Sequence, residues 1–149
     1  MISEIHIEKI KALSREAGSA ILEIYNNYED FGIEQKEDDS PLTIADKRSN
    51  KIICAGIKAL ELGYPIISEE NLQIPFEIRK NYKYFWLIDP LDGTKEFINK
   101  NGDFTVNIAL IEGDRAIAGF VYAPFQDELF WGIKGQGAFS ETNGKISSL

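Results

Sequence analysis

The stretch WLIDPLDGTKEF, residues 86–97, places two aspartates where an apolar segment ends. Residues 84–88 are five consecutive apolar or aromatic side chains, and such a run predicts a buried strand. Asp89 and Asp92 follow it, separated by Pro90 and Leu91. Two like charges beside a buried segment repel each other and are costly to desolvate, so the stretch requires a partner that stabilises both.

A second acidic segment gives that partner a chemical class. Residues 64–68 predict a short strand, and Glu69 and Glu70 follow it directly. If the two strands are neighbours, their ends bring Glu69 close to Asp89 and Asp92. A divalent cation would neutralise these carboxylates. Because the side chains offer oxygen and no histidine or cysteine lies nearby, the set favours Mg²⁺, Mn²⁺ or Ca²⁺ over zinc or copper.

The residues after the aspartates predict a phosphate site beside the cation. GTKEF predicts a short helix with Asp92 as its cap, and the amides of Gly93 and Thr94 would then face outward. The carbonyl of Leu91 can add a further ligand. The alternative is that each acid is only a cap or a solvated strand end. The combination of Asp-Pro-Leu-Asp-Gly-Thr with Ser-Glu-Glu favours a metal site.

The remaining pattern places helices first and strands after them. Hydrophobic spacing predicts a helix over residues 3–27 and a second helix that begins at Pro41 and ends at Gly63. In the second helix, Thr43 is the predicted cap and Asp46, three residues later, completes a capping box. A short strand is predicted within residues 31–40, one helical turn within 74–82, and strands over 103–112, 115–124 and 127–133. The predicted fold is α+β, a two-layer domain with N-terminal helices packed on a mainly antiparallel sheet.

Composition excludes several classes of partner. The 149 residues are 44% hydrophobic, enough for one domain with a core, and carry a formal net charge of −8. That charge argues against nucleic acid and against an anionic membrane surface. Cys54 is the one cysteine, so no disulfide framework exists. The N-terminus is not a signal peptide and no apolar run reaches membrane-spanning length, which predicts a cytoplasmic protein without an integral membrane segment.

The motifs resemble a known family. IDPLDGTKEF, with ISEE and DSPLTIAD before it, resembles the first signature of the inositol monophosphatase superfamily of metal-dependent phosphatases. The longer run DPLDGTKEFINKNGDFTVNIALI resembles the branch of bacterial 3′(2′),5′-bisphosphate nucleotidases. Inositol monophosphatases usually carry Asn-Phe after Asp-Gly-Thr, whereas Lys95, Glu96 and Phe97 stand here.

The resemblance implies a reaction and an architecture. The reaction is hydrolysis of 3′-phosphoadenosine 5′-phosphate, a small phosphorylated nucleotide, to AMP and phosphate without a covalent enzyme intermediate. The alternatives are an inositol monophosphatase, a sugar-phosphate phosphatase or a non-catalytic metal-binding fragment. Residues 1–149 would form the N-terminal half of the sugar-phosphatase αβαβα fold, without the second domain and its Trp-Asp motif, and the family allows a homodimer.

The resemblance also implies which residues hold Mg²⁺, as two or three ions. Glu69, Asp89 and the Leu91 carbonyl would bind the first ion. Asp89 and Asp92 would share the second with an aspartate of the second domain. Lys36 would approach a metal-bound water or a third cation.

Catalytic and substrate-binding roles follow from the same resemblance. Asp46 and Thr94 would orient the attacking water, with Glu69 beside it. On the residues alone, Asp46 could equally be only part of a cap, and Thr94 only a polar residue of a first helical turn. The substrate-binding set implied by the family is Glu69, Leu91, Asp92, Gly93 and Thr94.

Overall fold

The computed structural model of the chain describes residues 2–27 and 40–149. The predicted strand after residue 31 and Lys36 lie outside these described residues. Within them are four helices and one seven-stranded sheet. The helices are α1 (Glu4–Asn26), α2 (Pro41–Lys58), α3 (Phe76–Arg79) and α4 (Thr94–Ile98). The strands are β1 (Ile66–Ser68), β2 (Tyr84–Asp92), β3 (Thr105–Glu112), β4 (Arg115–Ala123), β5 (Glu128–Ile133), β6 (Gly137–Thr142) and β7 (Lys145–Ser148).

The strands lie in the sheet in the order in which they occur in the chain. β1 and β2 are parallel, and every other neighbouring pair is antiparallel. The helices α1 and α2 pack on each other, α1 contacts β3 and β4, and α2 contacts β2. The α+β prediction of helices on a mainly antiparallel sheet is therefore confirmed. None of the helices in the two described ranges is long and apolar enough to cross a bilayer.

The core forms between the helices and one face of the sheet. Alternate residues of β3 point inward, so Val106, Ile108 and Leu110 are almost fully buried. Residues of α1 at helical spacing, including Ile10 and Ile21, meet them from the other layer. Burial of each such side chain contributes roughly 1.5–3 kcal/mol relative to leaving it in water.

The start and end of α2 differ from the prediction. Ser40 is the cap, because its side chain accepts a hydrogen bond from the Thr43 amide at 3.2 Å. Pro41 occupies the first helical position, where a missing amide hydrogen is harmless, so the cap must precede it. Thr43 and Asp46 therefore do not form the predicted capping box. The helix ends at Lys58, before the predicted end at Gly63, which has φ +74 in the following loop.

Candidate metal and phosphate site

The parallel pairing of β1 and β2 brings their ends to one edge of the sheet. Ser68 pairs with Ile88, so Glu69 and Asp89 each follow the same rung of the ladder. The prediction that these two strands are neighbours is confirmed. The two acidic segments therefore lie side by side, as that prediction required.

A bulge shapes the segment between the two aspartates. Asp89 pairs with Asn107 and Asp92 with Thr105, so two residues of β2 stand opposite one residue of β3. The amide of Leu91 donates to the Asp89 carboxylate, and the Leu91 side chain is 2% exposed. The buried Leu91 side chain therefore holds the turn against the core, while the Leu91 backbone stays near the acids.

Asp89 lies in a setting that disfavours its charge. Burial and the nearby charges of Glu69 and Asp92 raise the pKa of Asp89 to about 6 from an ordinary 3.8, while the Leu91 amide opposes the shift. Its Oδ1 is buried and makes no hydrogen bond to any residue in the described ranges 2–27 and 40–149. A buried carboxylate oxygen without a partner is costly, and a cation removes that cost.

Asp46 approaches the same cluster from α2. Burial raises the pKa of Asp46 to about 7, and the charge of Glu70, a hydrogen bond to that side chain, and the charges of Asp89 and Glu69 add to the shift. Its Oδ1 is also buried, and within the part of the chain that the structure describes it has no hydrogen-bond partner. Three separate elements thus contribute acids to one region: the start of α2, the turn after β1, and the bulge of β2.

Glu70 is closer to this cluster than the sequence indicated. The charge of the Glu70 side chain and its hydrogen bond to Asp46 are, after burial, the main causes that raise the pKa of Asp46. Nothing in the sequence separates Glu70 from a solvated neighbour of Glu69. The role of Glu70 depends on how α2 packs beside the turn after β1, and this packing becomes visible only in the folded structure.

Asp92 lies on the exposed side of the bulge, and two side chains of β3 hold it through a chain of two hydrogen bonds. The side-chain amide of Asn107 donates from Nδ2 to Asp92 Oδ2 at 3.1 Å. The hydroxyl of Thr105 in turn donates to Asn107 Oδ1 at 2.9 Å. Sequence reasoning missed Asn107 because its role depends on the register between β2 and β3.

The start of α4 is formed differently from the predicted cap. Gly93, not Asp92, is the capping residue; it has φ +91 and no side chain caps the helix. A Cβ at Gly93 would stand 2.7 Å from the Asp103 carbonyl oxygen, so glycine is required by both backbone conformation and space. Thr94 is exposed at the first helical position, and Phe97 anchors the helix in the core. A helix of five residues has a small dipole, so any anion would depend on the amides themselves.

A groove of about 420 Å³ runs from the acids across the sheet face opposite the helices. Glu69 and Asp89 line its acidic end. Leu87 and Val121 line its apolar part and are 46% and 39% exposed. The groove therefore joins carboxylates to apolar surface within the size range of a small-molecule site.

Residues 3–148 match the model of the inositol monophosphatase family. The chain belongs to this family. It is 42% identical over 130 residues to the 3′(2′),5′-bisphosphate nucleotidase CysQ of Salmonella typhimurium, covering 87% of this chain and 52% of that protein. It is 47% identical over 124 residues to CysQ of Buchnera aphidicola, covering 83% and 46%. The chain thus spans about half the length of the curated relatives it matches.

Solved structures agree with this family membership. The crystal structure of CysQ from Bacteroides thetaiotaomicron superposes with a TM-score of 0.77 at 36% identity, covering 93% of this chain and 49% of that one. The suhB protein of Bartonella henselae gives 0.74 at 27% identity, covering 91% and 51%.

The acids of this family member fit a hard divalent cation by their chemistry. Asp46 and Asp89 each offer a buried oxygen that has no hydrogen-bond partner among the described residues, and carboxylate oxygen suits such a cation. In residues 2–27 and 40–149, no group of three or more histidine, cysteine, aspartate or glutamate side chains is placed so that it could hold a metal ion. Because like charges repel, a bound cation would allow these carboxylates to approach one another more closely. The assignments of Glu69, Asp89, Leu91 and Asp92 as ligands remain predictions.

Proposed function

We propose that this chain carries the acidic half of a Mg²⁺-dependent phosphatase site, and that the protein hydrolyses the 3′-phosphate of 3′-phosphoadenosine 5′-phosphate. The observation that carries the proposal is a pair of buried oxygens on Asp46 and Asp89 that have no hydrogen-bond partner among the described residues and come from two elements. The choice of substrate rests on Lys95, Glu96 and Phe97 and on the relatives named 3′(2′),5′-bisphosphate nucleotidase.

The proposed roles are those that the resemblance to the family implies, and the placement of the acids supports them. Glu69, Asp89, Asp92 and the Leu91 carbonyl would hold two or three Mg²⁺ ions. Bound Mg²⁺ would supply the positive charge that acidifies water and neutralises the phosphate. Asp89 lies centrally, because the charges of both Glu69 and Asp92 act on it. It is therefore the residue whose loss most reduces metal binding.

Asp46 and Thr94 would act on the attacking water. In the metal-free fold the pKa of Asp46 is raised to about 7, and a carboxylate at this position could accept a proton from that water as a general base. The exposed Thr94 hydroxyl can orient the same water from the start of α4. The amides of Gly93 and Thr94 would contact the phosphate, together with bound Mg²⁺.

We propose that residues 1–149 correspond to the N-terminal domain of a two-domain enzyme. The support is that the chain spans about half of each relative reported above. A cytoplasmic location and a homodimer stay predictions. Solution mass of the purified protein tests the second of these.

The test is phosphate release from 3′-phosphoadenosine 5′-phosphate with and without Mg²⁺, and inositol 1-phosphate is assayed alongside. The assay uses this chain and a form extended to the length of the relatives. We expect Mg²⁺-dependent release from the nucleotide by the extended form, loss of release in Asp89→Asn, and no effect of Asp114→Asn. Asp114 is the matched control because its side chain is 97% exposed in a turn.

Each other outcome has a defined meaning. Asp89→Asn turnover near that of the unsubstituted protein contradicts the metal role. Release from inositol 1-phosphate alone favours the inositol monophosphatase alternative. Mg²⁺ binding without release from any phosphorylated compound favours a non-catalytic metal-binding domain.

A further inference from the structure

Ser49 joins α2 to the bulge that carries the two aspartates. Its hydroxyl donates to the Pro90 carbonyl at 2.7 Å, and the side chain is fully buried. Pro90 lies directly after Asp89, where the regular pairing with β3 is interrupted. Proline has no amide hydrogen, so this short stretch has fewer ladder bonds than a regular strand. The Ser49 hydroxyl therefore ties the least regular part of β2 to a long helix.

Asn50, the next residue of α2, holds the other acidic segment. Its Oδ1 accepts from the Ser68 hydroxyl at 2.6 Å, and its Nδ2 donates to Asn71 Oδ1 at 2.9 Å. The backbone amide of Asn71 also donates to the Ser68 backbone carbonyl at 3.1 Å, which closes a turn. Glu69 and Glu70 are the two central residues of that turn. One amide side chain therefore contacts both ends of the turn that presents them.

We propose that Ser49 and Asn50 are positioning residues that fix the spacing between the acidic turn after β1 and the bulge of β2, and so set the affinity of the site for Mg²⁺. This inference rests on the proposed function. Asp46 lies one helical turn earlier on α2. The same helix therefore carries one acid itself and contacts the two other acidic segments, which are the turn after β1 and the bulge of β2. Groups that orient metal ligands typically change metal affinity 10–100-fold when they are removed.

Ser14 provides a matched control for this role. It is as fully buried as Ser49, and its hydroxyl donates to a backbone carbonyl at 2.9 Å. That carbonyl belongs to Ile10 in the same helix, so the bond joins no other element. Ser14→Ala therefore repeats the chemical change of Ser49→Ala without touching the acids. A general loss of stability affects both variants, whereas a positioning role affects one.

The experiment measures Mg²⁺ binding by calorimetry in the purified chain and its variants, with urea unfolding recorded for each. We expect Ser49→Ala to bind Mg²⁺ about tenfold more weakly and Ser14→Ala to bind as the unsubstituted chain does. Equal affinity in Ser49→Ala and the unsubstituted chain overturns the inference. Absence of Mg²⁺ binding in both the unsubstituted chain and the form extended to the length of the relatives, or unchanged binding in Asp89→Asn, overturns the proposed function as well. Loss in Asp89→Asn with normal binding in Ser49→Ala overturns the positioning role alone.

Asn50→Ala tests the same inference without disturbing the buried core, because Asn50 is partly exposed. We expect a comparable loss of Mg²⁺ affinity. Its control is Asn81→Ala, since the exposed Asn81 side-chain amide donates to the nearby Glu77 carbonyl at 3.1 Å, away from the acids. In the extended enzyme, Asn50→Ala should raise the Mg²⁺ concentration for half-maximal rate while kcat at saturating Mg²⁺ stays near normal. An unchanged Mg²⁺ requirement contradicts the inference.

Discussion

Asp89→Asn should make the metal-free chain more stable at neutral and alkaline pH. The folded protein raises the pKa of this carboxyl from 3.8 to about 6, so it binds the proton more tightly than the unfolded chain does. Such a group contributes stability below pH 4, and that contribution is lost as pH rises through about 6. Asparagine has the same shape without the charge, so it avoids the loss.

The magnitude follows from the size of the shift. Each pKa unit corresponds to about 1.4 kcal/mol, so the full shift would amount to about 3 kcal/mol. Asp89 is only partly buried and water screens its neighbours, which reduces the expected effect to about 1–2 kcal/mol in the free energy of unfolding. The gain should be present at pH 8 and mostly absent at pH 4.

Urea unfolding in EDTA at these two pH values measures the effect, and a second series at pH 8 contains excess Mg²⁺. We expect Mg²⁺ to stabilise the unsubstituted chain more than Asp89→Asn, which reverses or removes the difference between them. Asp114→Asn should match the unsubstituted chain throughout. If Asp89→Asn is less stable in EDTA at pH 8, the charge of Asp89 is not a cost to the fold, and the argument for a cation site fails.

Three further substitutions test packing at the site and elsewhere in the fold by urea unfolding. Gly93→Ala should lower the free energy of unfolding by about 2 kcal/mol or more, because φ is +91 and a Cβ would meet a backbone carbonyl. Gly144→Ala is its control, because Gly144 has φ +75 but lies in open space, so this variant measures the conformational cost alone. An equal loss in the two variants would rule out the clash. Lys11→Ala should lower the free energy of unfolding by about 2 kcal/mol, since this 3% exposed cation lies 4.1 Å from the Trp131 ring centroid and pairs with two glutamates. Lys9→Ala, at an exposed position, should leave the stability almost unchanged. Similar losses in the two variants would refute the role of burial. Gly56→Ala should cost about 1–3 kcal/mol through overpacking between α1 and α2, and a neutral result would show that the helices can separate.

Periodicity in the sequence predicts the core-facing elements because burial leaves a direct trace in the order of residues. The alternating residues of β3 and the helical spacing of α1 are examples, and both elements are confirmed. β6 and β7 escape prediction because burial does not pattern them: every residue of Lys145–Ser148 is exposed. Their strand conformation comes from pairing at the edge of an existing sheet.

The candidate site divides in the same way. The carboxylates beside strand ends are visible in the sequence, since charge next to an apolar run is a local signal. Glu70, Ser49 and Asn107 are not, because their contacts depend on how α2 approaches the sheet and on the register between β2 and β3. The cap of α2 was misassigned for a local reason: Pro41 moves the capping position back to Ser40.

The sequential strand order has a consequence for how the molecule folds. Neighbouring hairpins close over short loops, as where Glu112 pairs with Arg115, so most of the sheet can grow from local contacts. The parallel pair is different, because Ile66 meets Trp86 only after a longer loop has been closed. The acidic edge depends on that pair and on the docking of α2. Folding should therefore assemble the antiparallel meander early and complete the acidic edge late, and a trapped intermediate would have a formed sheet but no capacity to bind Mg²⁺.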